Sequence, residues 1–188
     1  MILVQTTLPD LYIIKPSVFK DSRGYFFEAY NHKKFTELGI ELHFVQDNES
    51  QSEHGVIRGL HYQLAPYSQT KLVRVVFGKI LDVAVDIRKN SPTFGKHFSV
   101  ELDAESKQML LVPKGFAHGF SVLSQTAVVL YKCDAVYNPE AERGILYNDT
   151  ELNIDWKIES RKEIVSAKDK VHPTLKNAET NFIYGKKQ

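Results

Sequence analysis

Short apolar runs separated by turn residues are the feature that most constrains how this chain can fold. From Val45 to Cys133, runs rich in Val, Ile, Leu, Phe and Tyr follow one another closely, and Gly, Pro, Asn and Ser punctuate them. No long amphipathic helix interrupts this region, which disfavours a parallel sheet because parallel strands need long, usually helical crossovers. The pattern predicts a mainly β fold, built as an antiparallel sandwich or barrel.

Two neighbouring runs give the clearest individual prediction. Lys71–Phe77 and Ile80–Ile87 are separated only by Gly78 and Lys79, a spacing typical of a tight hairpin whose turn begins with glycine. The second run alternates apolar and polar residues, which is typical of a half-buried strand. Further strands are predicted over Phe98–Leu102, Gln108–Val112, Gly119–Val122 and Ala127–Cys133.

The remaining segments are expected to complete one compact body. A short helix is predicted over Asn31–Leu38, capped by its first residue and stopped by the glycine that follows. The tail from Asp155 to Lys170 is predicted to be helical or irregular. We expect a single domain over residues 1–188, with a barrel core at about 10–150 and an appendage at about 151–188 that packs on the barrel.

Composition excludes several classes of protein. A chain of 188 residues can bury a self-supporting core without disulfides, and Cys133 is its only cysteine. Lys and Arg (24) nearly balance Asp and Glu (23), with no long block of like charges, so nucleic acid is not an expected partner. The sequence shows neither a secretory leader nor a run of about 18 apolar residues, so we expect a cytoplasmic location and no membrane partner.

Two histidine-containing clusters, Gly55–Gln63 and Pro113–His118, resemble the two halves of the cupin barrel motif. The metal-binding form of that motif has a second histidine where this chain has Gln63, and a glutamate near the position of Lys71. An ammonium group offers only donors and repels a cation. We therefore expect no metal, which disfavours a metal-dependent oxygenase and favours acid–base chemistry in the barrel.

Lys71 heads a strand whose alternation places it on the same face as Val73, Val75 and Phe77. A charged group on an inward face is costly unless something compensates for it. One interpretation is a rim lysine whose ammonium reaches solvent. The other is a cation placed to meet negative charge that develops on a substrate.

His61 lies close in sequence to two other basic groups, Arg58 and Lys71, all within 14 residues. A lone strand histidine is more often structural than catalytic, but such a gathering near an apolar cavity favours a functional site. Simple alternation places Arg58 on the opposite face from His61. A bulge at Gly59 would relieve that conflict.

Tyr131 and Asp169 carry little information taken alone. Tyr131 shares a strand face with Val129 and Cys133, which is typical of a core tyrosine whose hydroxyl reaches the edge. Asp169 would ordinarily be a solvated loop carboxylate. Cys133 is predicted to be buried, with no catalytic part.

Taken in order, the motifs resemble those of the dTDP-4-dehydrorhamnose 3,5-epimerase family, whose members are cupins without a metal. The resemblance covers about residues 10–180 and rests on Arg23–Glu28, Val45–Asn48, Ile57–Gln63, Lys71–Val75, Pro113–Phe120, Tyr131–Asp134 and Tyr137–Pro139. It implies a cupin-type antiparallel jelly-roll barrel. It also implies a dTDP-sugar substrate and a homodimer in which N-terminal strands are shared between subunits.

The same resemblance implies a role for each matching residue. His61 resembles the general base, and Asp169 the carboxylate that orients it. Tyr131 resembles the general acid on the opposite face of the sugar, and Lys71 the group that steadies the enolate oxygen. Positions that hold the nucleotide, the diphosphate or the sugar are matched by Arg23, Phe26, Glu28, Gln46, Asn48, Arg58, His118, Glu142 and Lys168.

The implied reaction explains these residue types and needs no redox change, so no cofactor is expected. In a 4-keto sugar the hydrogens on C3 and C5 flank a carbonyl, so removing either creates an enolate whose charge lies mainly on oxygen. Imidazole is matched to this proton transfer at neutral pH, and inversion requires a second group on the other face. Alternatives remain open: an epimerase acting at C3 only, a 3,4-ketoisomerase, or a non-catalytic sugar-nucleotide-binding cupin.

Overall fold

A computed structural model describes residues 1–186, and the predicted mainly β architecture is confirmed. One α-helix, α1 (His32–Glu37), and 3₁₀ turns at Ser160–Lys162, Asp169–Val171 and Leu175–Asn177 accompany the strands. In chain order the strands are β1 (Ile2–Gln5), β2 (Tyr12–Lys15), β3 (Phe19–Asp21), β4 (Gly24–Phe26), β5 (Gln46–Glu53), β6 (Val56–Gln63), β7 (Lys71–Phe77), β8 (Lys79–Asp86), β9 (His97–Asp103), β10 (Met109–Val112), β11 (Phe116–Val122), β12 (Thr126–Cys133), β13 (Glu142–Gly144) and β14 (Ile164–Val165).

Two facing antiparallel sheets form the barrel. The first has the order β1-β2-β10-β7-β12-β5, and the second has the order β13-β6-β11-β8-β9, with β14 added to β6 in parallel. Strands β3 and β4 form a separate hairpin. Val75 and Val129 of the first sheet share one buried cluster with Leu102 and Phe120 of the second. The apolar core therefore lies between the sheets, as in a cupin-type jelly roll.

The predicted hairpin between β7 and β8 is wrong. The two strands follow one another directly, but β7 pairs with β10 and β12, whereas β8 pairs with β9 and β11. Gly78 turns the chain from one sheet to the other. Its φ is 76°, and a Cβ there would lie 2.1 Å from the Thr126 carbonyl oxygen, so only glycine fits this corner.

Strand β8 is buried on both faces, which corrects the half-buried prediction. Ala84 lies in the cluster between the sheets, whereas Val83 and Val85 lie in a second cluster on the opposite side. Trp156 and Phe182 of the C-terminal segment belong to that second cluster and are almost completely buried. The C-terminal segment thus covers the outer side of the second sheet.

The predicted helix outside the barrel is present, and its predicted cap and stop residues are confirmed. The Asn31 side chain caps α1 by accepting a hydrogen bond from the Lys34 amide at 3.2 Å, and Gly39 follows the helix with a φ of 82°. The C-terminal segment contains 3₁₀ turns and β14 and no longer helix up to residue 186. The division into a barrel core and an appendage stays a prediction, and positions 187 and 188 lie outside the described residues.

Across residues 1–186, no helix has the length and apolar character needed to cross a membrane.

Candidate active site

A bulge in β6 brings Arg58 and His61 to the same cavity. In the ladder with β11, His61 pairs with His118 and Arg58 pairs with Phe120, so β6 carries one extra residue between these pairs. Gly59 has a φ of 128°, and a Cβ there would lie 2.5 Å from the Gly119 Cα. The bulge suggested at Gly59 is therefore present, and it removes the conflict that strict alternation creates.

The cavity between the sheets has a volume of about 570 Å³. His61 enters it from β6 of the second sheet, whereas Lys71 and Tyr131 enter from β7 and β12 of the first. Asp169 reaches it from the 3₁₀ turn in the C-terminal segment. The four residues expected to carry chemistry thus meet in one cavity, with the imidazole on one sheet and the ammonium and phenol on the other. Three of the expected binding residues also line it: Arg58, His118 and Lys168.

His61 and Asp169 form a hydrogen-bonded pair. The His61 Nε2 lies 2.8 Å from Asp169 Oδ1, and the Gly59 amide donates to Asp169 Oδ2 at 3.3 Å. Burial of Asp169 raises its pKa, but these hydrogen bonds outweigh burial and hold the pKa below its usual range. The carboxylate is therefore ionised at neutral pH. Because Nε2–H donates to Asp169 in the neutral imidazole, Nδ1 is the ring nitrogen that can take a proton.

Lys71 brings a cation without a fixed counter-ion to this site. It forms no salt bridge within residues 1–186, and burial lowers its pKa although the charge of Asp82 opposes that effect. Its Nζ lies 5.9 Å from the centre of the Tyr131 ring.

The predicted inward face of β7 holds for Val73 and Val75 but is wrong for Phe77. Phe77 is 60% exposed because β7 has a register shift there.

Tyr131 and Lys71 lie on neighbouring strands, where Tyr131 pairs with Val73 and Lys71 pairs with Cys133. Burial raises the pKa of the Tyr131 phenol, and the charge of Arg58 only partly offsets this. The hydroxyl is thus protonated at neutral pH and can donate. Cys133 is fully buried as predicted, and burial raises the pKa of its thiol to about 11.

His118 lies deeper and is paired with a buried carboxylate. Its Nε2 lies 2.7 Å from Asp82 Oδ1, and both side chains are almost fully buried. The other carboxylate oxygen of Asp82 has no hydrogen-bond partner among the described residues. Asp82 shares a face of β8 with Ala84, which lies in the cluster between the sheets. The Asp82 carboxylate therefore faces the barrel rather than solvent.

An adjoining pocket of about 210 Å³ brings in three more expected binding residues. Gln46, Asn48 and Glu142 line it together with His61, Lys71 and Tyr131. Glu142 accepts a hydrogen bond from the Tyr137 hydroxyl at 2.7 Å and pairs with Lys168. Polar groups thus continue from the cavity to the protein surface.

Three expected binding residues are not brought to this cavity within the chain. Arg23 is paired with Asp21 on the β3–β4 hairpin at 2.6 Å, and Phe26 at the end of that hairpin is 66% exposed. Glu28 binds the side chains of Asn31 and Lys34 next to α1. Every residue of β3 and β4 is exposed.

Several residues in or next to the cavity had no recognisable sequence signal. Ser50 and Ser166 line the cavity but belong to runs that read simply as strand or loop. His172 lies 3.6 Å from Asp169, in a tail whose irregular backbone gives no periodicity from which its direction could be read. Tyr137 belongs to the motif Tyr137–Pro139, but that motif did not indicate a hydrogen bond from the Tyr137 hydroxyl to Glu142.

The residues at the metal-ligand positions of the cupin motif, Gln63 and Lys71, do not fit a metal ion. At the place of the second histidine, the Gln63 amide donates to the Tyr67 carbonyl at 2.6 Å, and its oxygen accepts from the Asn138 amide at 2.7 Å. Gln63 is therefore used to hold a loop. Lys71 supplies a donor group where the metal-binding form has a carboxylate.

Fold and cavity together define a class: a cupin-type barrel enzyme that moves protons to and from a bound substrate. The model of the family described as dTDP-4-dehydrorhamnose 3,5-epimerase matches residues 5–177. The dTDP-4-dehydrorhamnose 3,5-epimerase of Shigella flexneri is 52% identical over 170 residues, which cover 90% of this chain and 93% of the relative. The chain belongs to this family.

Solved structures agree with that assignment. The crystal structure of the dTDP-4-dehydrorhamnose 3,5-epimerase of Elizabethkingia anophelis is 55% identical, with a TM-score of 0.90, over 94% of this chain and 97% of that one. A Legionella pneumophila epimerase, solved in complex with dTDP-4-keto-L-rhamnose, is 46% identical with a TM-score of 0.89 over 93% of each chain.

Proposed function

We propose that this protein is a dTDP-4-dehydrorhamnose 3,5-epimerase, which inverts C3 and C5 of dTDP-4-dehydro-6-deoxy-D-glucose to give dTDP-4-dehydro-L-rhamnose. The observation that carries the proposal is the placement of a base and an acid on opposing sheets of one cavity. Inversion needs a proton to leave one face of the carbon and another to arrive on the opposite face. Family membership and relatives that bear this name support the choice of substrate.

In the proposed mechanism, Nδ1 of His61 takes the proton from the carbon next to the ketone. The C–H electrons form the enolate double bond, and the carbonyl electrons move to oxygen, where the Lys71 ammonium stabilises the charge. Asp169 stabilises the imidazolium through Nε2. Tyr131 then donates its phenolic proton to the other face, and solvent returns a proton to the phenolate and removes one from His61.

Basic groups at the cavity are proposed to hold the diphosphate. Arg58 donates through Nε to Ser52 at 3.0 Å, which leaves other guanidinium N–H groups for phosphate oxygens. Lys168 is paired with Glu142 but is mostly exposed, so it can reorient toward the ligand. An arginine and a lysine at this cavity suit an anionic substrate even though the chain as a whole is nearly neutral.

Isotope exchange tests the reaction. Incubation with dTDP-4-keto-6-deoxyglucose in deuterated water, with chelator present, is expected to introduce deuterium at both C3 and C5, as read by NMR. Tyr131→Phe is expected to lower net inversion by about 10²-fold while exchange falls less, because His61 can still remove and return the proton on its own face.

Label at C3 alone in that experiment would favour the single epimerase. Migration of the keto group from C4 to C3 would favour the ketoisomerase, and no label at all would favour a binding cupin. Equal losses of inversion and exchange in Tyr131→Phe would contradict the assignment of the acid.

A homodimer would explain where Arg23 and Phe26 act. The β3–β4 hairpin exposes large apolar side chains, with Phe19 at 66%, Tyr25 at 58% and Phe26 at 66% exposure. Such a protruding apolar element is typical of a segment that packs against another molecule. We propose that it delivers these two residues to the cavity of a second copy, as the resemblance implied.

Subunit mixing tests this arrangement. Arg23→Ala and His61→Ala proteins are each expected to be poorly active. When they are mixed and exchanged, half the dimers are hybrids with one intact site of two, so about a quarter of wild-type activity should return. Absence of recovery despite hybrid formation, verified by mass spectrometry, would place Arg23 in its own subunit's site or outside any site.

A further inference from the structure

Beside the proposed base lies a second histidine that the mechanism does not use. His172 Nε2 is 3.6 Å from Asp169 Oδ1, on the same carboxylate oxygen that lies 2.8 Å from His61 Nε2. One possible ligand atom from each of His61, Asp169 and His172 lies within 4.8 Å of the other two, and the two imidazole ring centres are 5.8 Å apart. His172 Nε2 is buried without a hydrogen-bond partner among the described residues.

The position of the His172 ring is fixed by its surroundings. The ring packs directly on Gly144 of β13, where a Cβ would lie 2.4 Å from its Nε2. The next residue, Pro173, accepts a hydrogen bond from the Leu146 amide at 2.8 Å. The histidine is thus held against the second sheet, on the side of Asp169, rather than free to turn into solvent.

Two imidazole nitrogens and one carboxylate oxygen are a donor set that zinc accepts. Tetrahedral Zn–N and Zn–O bonds of about 2.0–2.1 Å place neighbouring donors roughly 3.3 Å apart. The two contacts to Asp169, of 2.8 and 3.6 Å, bracket that separation, and the donor atoms of the two histidines lie within 4.8 Å of each other.

We propose that His61, Asp169 and His172 form an inhibitory site for a divalent transition metal such as Zn²⁺. On binding, the metal displaces the Nε2 proton of His61 to solvent and occupies the Asp169 oxygen that supports the base. The site shares only His61 with the cupin half-motifs and does not use Gln63 or Lys71, which do not fit an ion. Binding is independent of the proposed function, whereas the inhibition rests on it.

Direct binding is tested with Co²⁺ as the spectroscopic probe and Zn²⁺ as its competitor, on the full chain purified with chelator. The wild-type protein is expected to bind one equivalent with the intense visible absorption of four-coordinate Co²⁺, which one equivalent of Zn²⁺ removes. His172→Gln should lose this absorption. His43→Gln is the matched control, because the exposed rings of His32 and His43 lie 6.3 Å apart and could bind metal by themselves.

The inhibition is tested by titrating Zn²⁺ in the epimerase assay. Zn²⁺ should inhibit the wild type, and chelator should reverse that inhibition. His172→Gln should keep its activity without Zn²⁺ and need at least about tenfold more Zn²⁺ for half inhibition. Nitrogen NMR of the wild-type histidines provides a second measurement, in which Zn²⁺ should shift both His61 and His172 Nε2. Equal Co²⁺ absorption in wild type and His172→Gln, loss in His43→Gln instead, or unshifted His61 and His172 signals would overturn the proposal.

Discussion

Replacing His61 by alanine is expected to lower kcat by about 10³- to 10⁴-fold and to abolish deuterium exchange at C3 and C5. His61 is the imidazole in the cavity whose Nε2 is held by a buried carboxylate, which leaves Nδ1 as the proposed base. His118, the other histidine that lines this cavity, is already paired with Asp82 at 2.7 Å. The measurements are initial rates and the NMR exchange assay.

His43→Ala is the matched control for that variant, since it removes an exposed imidazole outside the cavity and should leave both rates unchanged. The bulge at Gly59 and the backbone pairing of β6 with β11 do not depend on the His61 ring. His61→Ala should therefore fold and keep its substrate affinity within a fewfold. Wild-type exchange in His61→Ala would refute the assignment of the base.

Replacing Lys71 by methionine is expected to lower kcat by about 10²- to 10³-fold with little change in KM. In the proposed mechanism the ammonium meets full negative charge only when the enolate forms, so its contribution should appear in the transition state rather than in the bound ketone. Methionine keeps the length and volume of the side chain without the charge. Steady-state kinetics separate the two constants, and a large rise in KM with unchanged kcat would instead assign Lys71 to ground-state binding.

The same variant is expected to be more stable than wild type at neutral pH. Burial lowers the pKa of Lys71 in the folded protein, so its charged form is disfavoured by folding. That cost is fully present below the folded pKa and disappears as pH rises from there toward the value of a free lysine. Urea unfolding at several pH values should therefore show a stability advantage for Lys71→Met that shrinks in alkaline solution. An advantage that grows with pH would contradict this account.

Much of the candidate site could be predicted because its residues belong to short motifs with a local signal. The turn-rich spacing of the apolar runs indicated the antiparallel barrel, and the motif order indicated the family. The conflict between Arg58 and His61 even predicted the bulge at Gly59. Such features depend on neighbours within a few residues, and local sterics and alternation act at that range.

Predictions failed where partners are distant in the sequence. β7 and β8 looked like a hairpin because the connection is short, but ladder pairing is decided by which other strands compete for each edge. Strand β8 looked half-buried because alternation shows only that one face is apolar, and the C-terminal segment that covers the other side comes about seventy residues later. Phe77 faces outward because of a register shift that involves β12.

The sequence by itself determined the fold class and the chemical groups of the proposed catalytic residues. It also showed that Gln63 and Lys71 do not fit a metal ion. Residue type and local spacing are enough to settle these points. Only the tertiary structure showed that His61 and Tyr131 enter the cavity from opposing sheets, that the side chains of His61 and Asp169 are hydrogen-bonded, and that His172 lies beside them. These relations connect residues up to 111 positions apart. They are set by sheet pairing and by packing of the C-terminal segment, which no local pattern encodes.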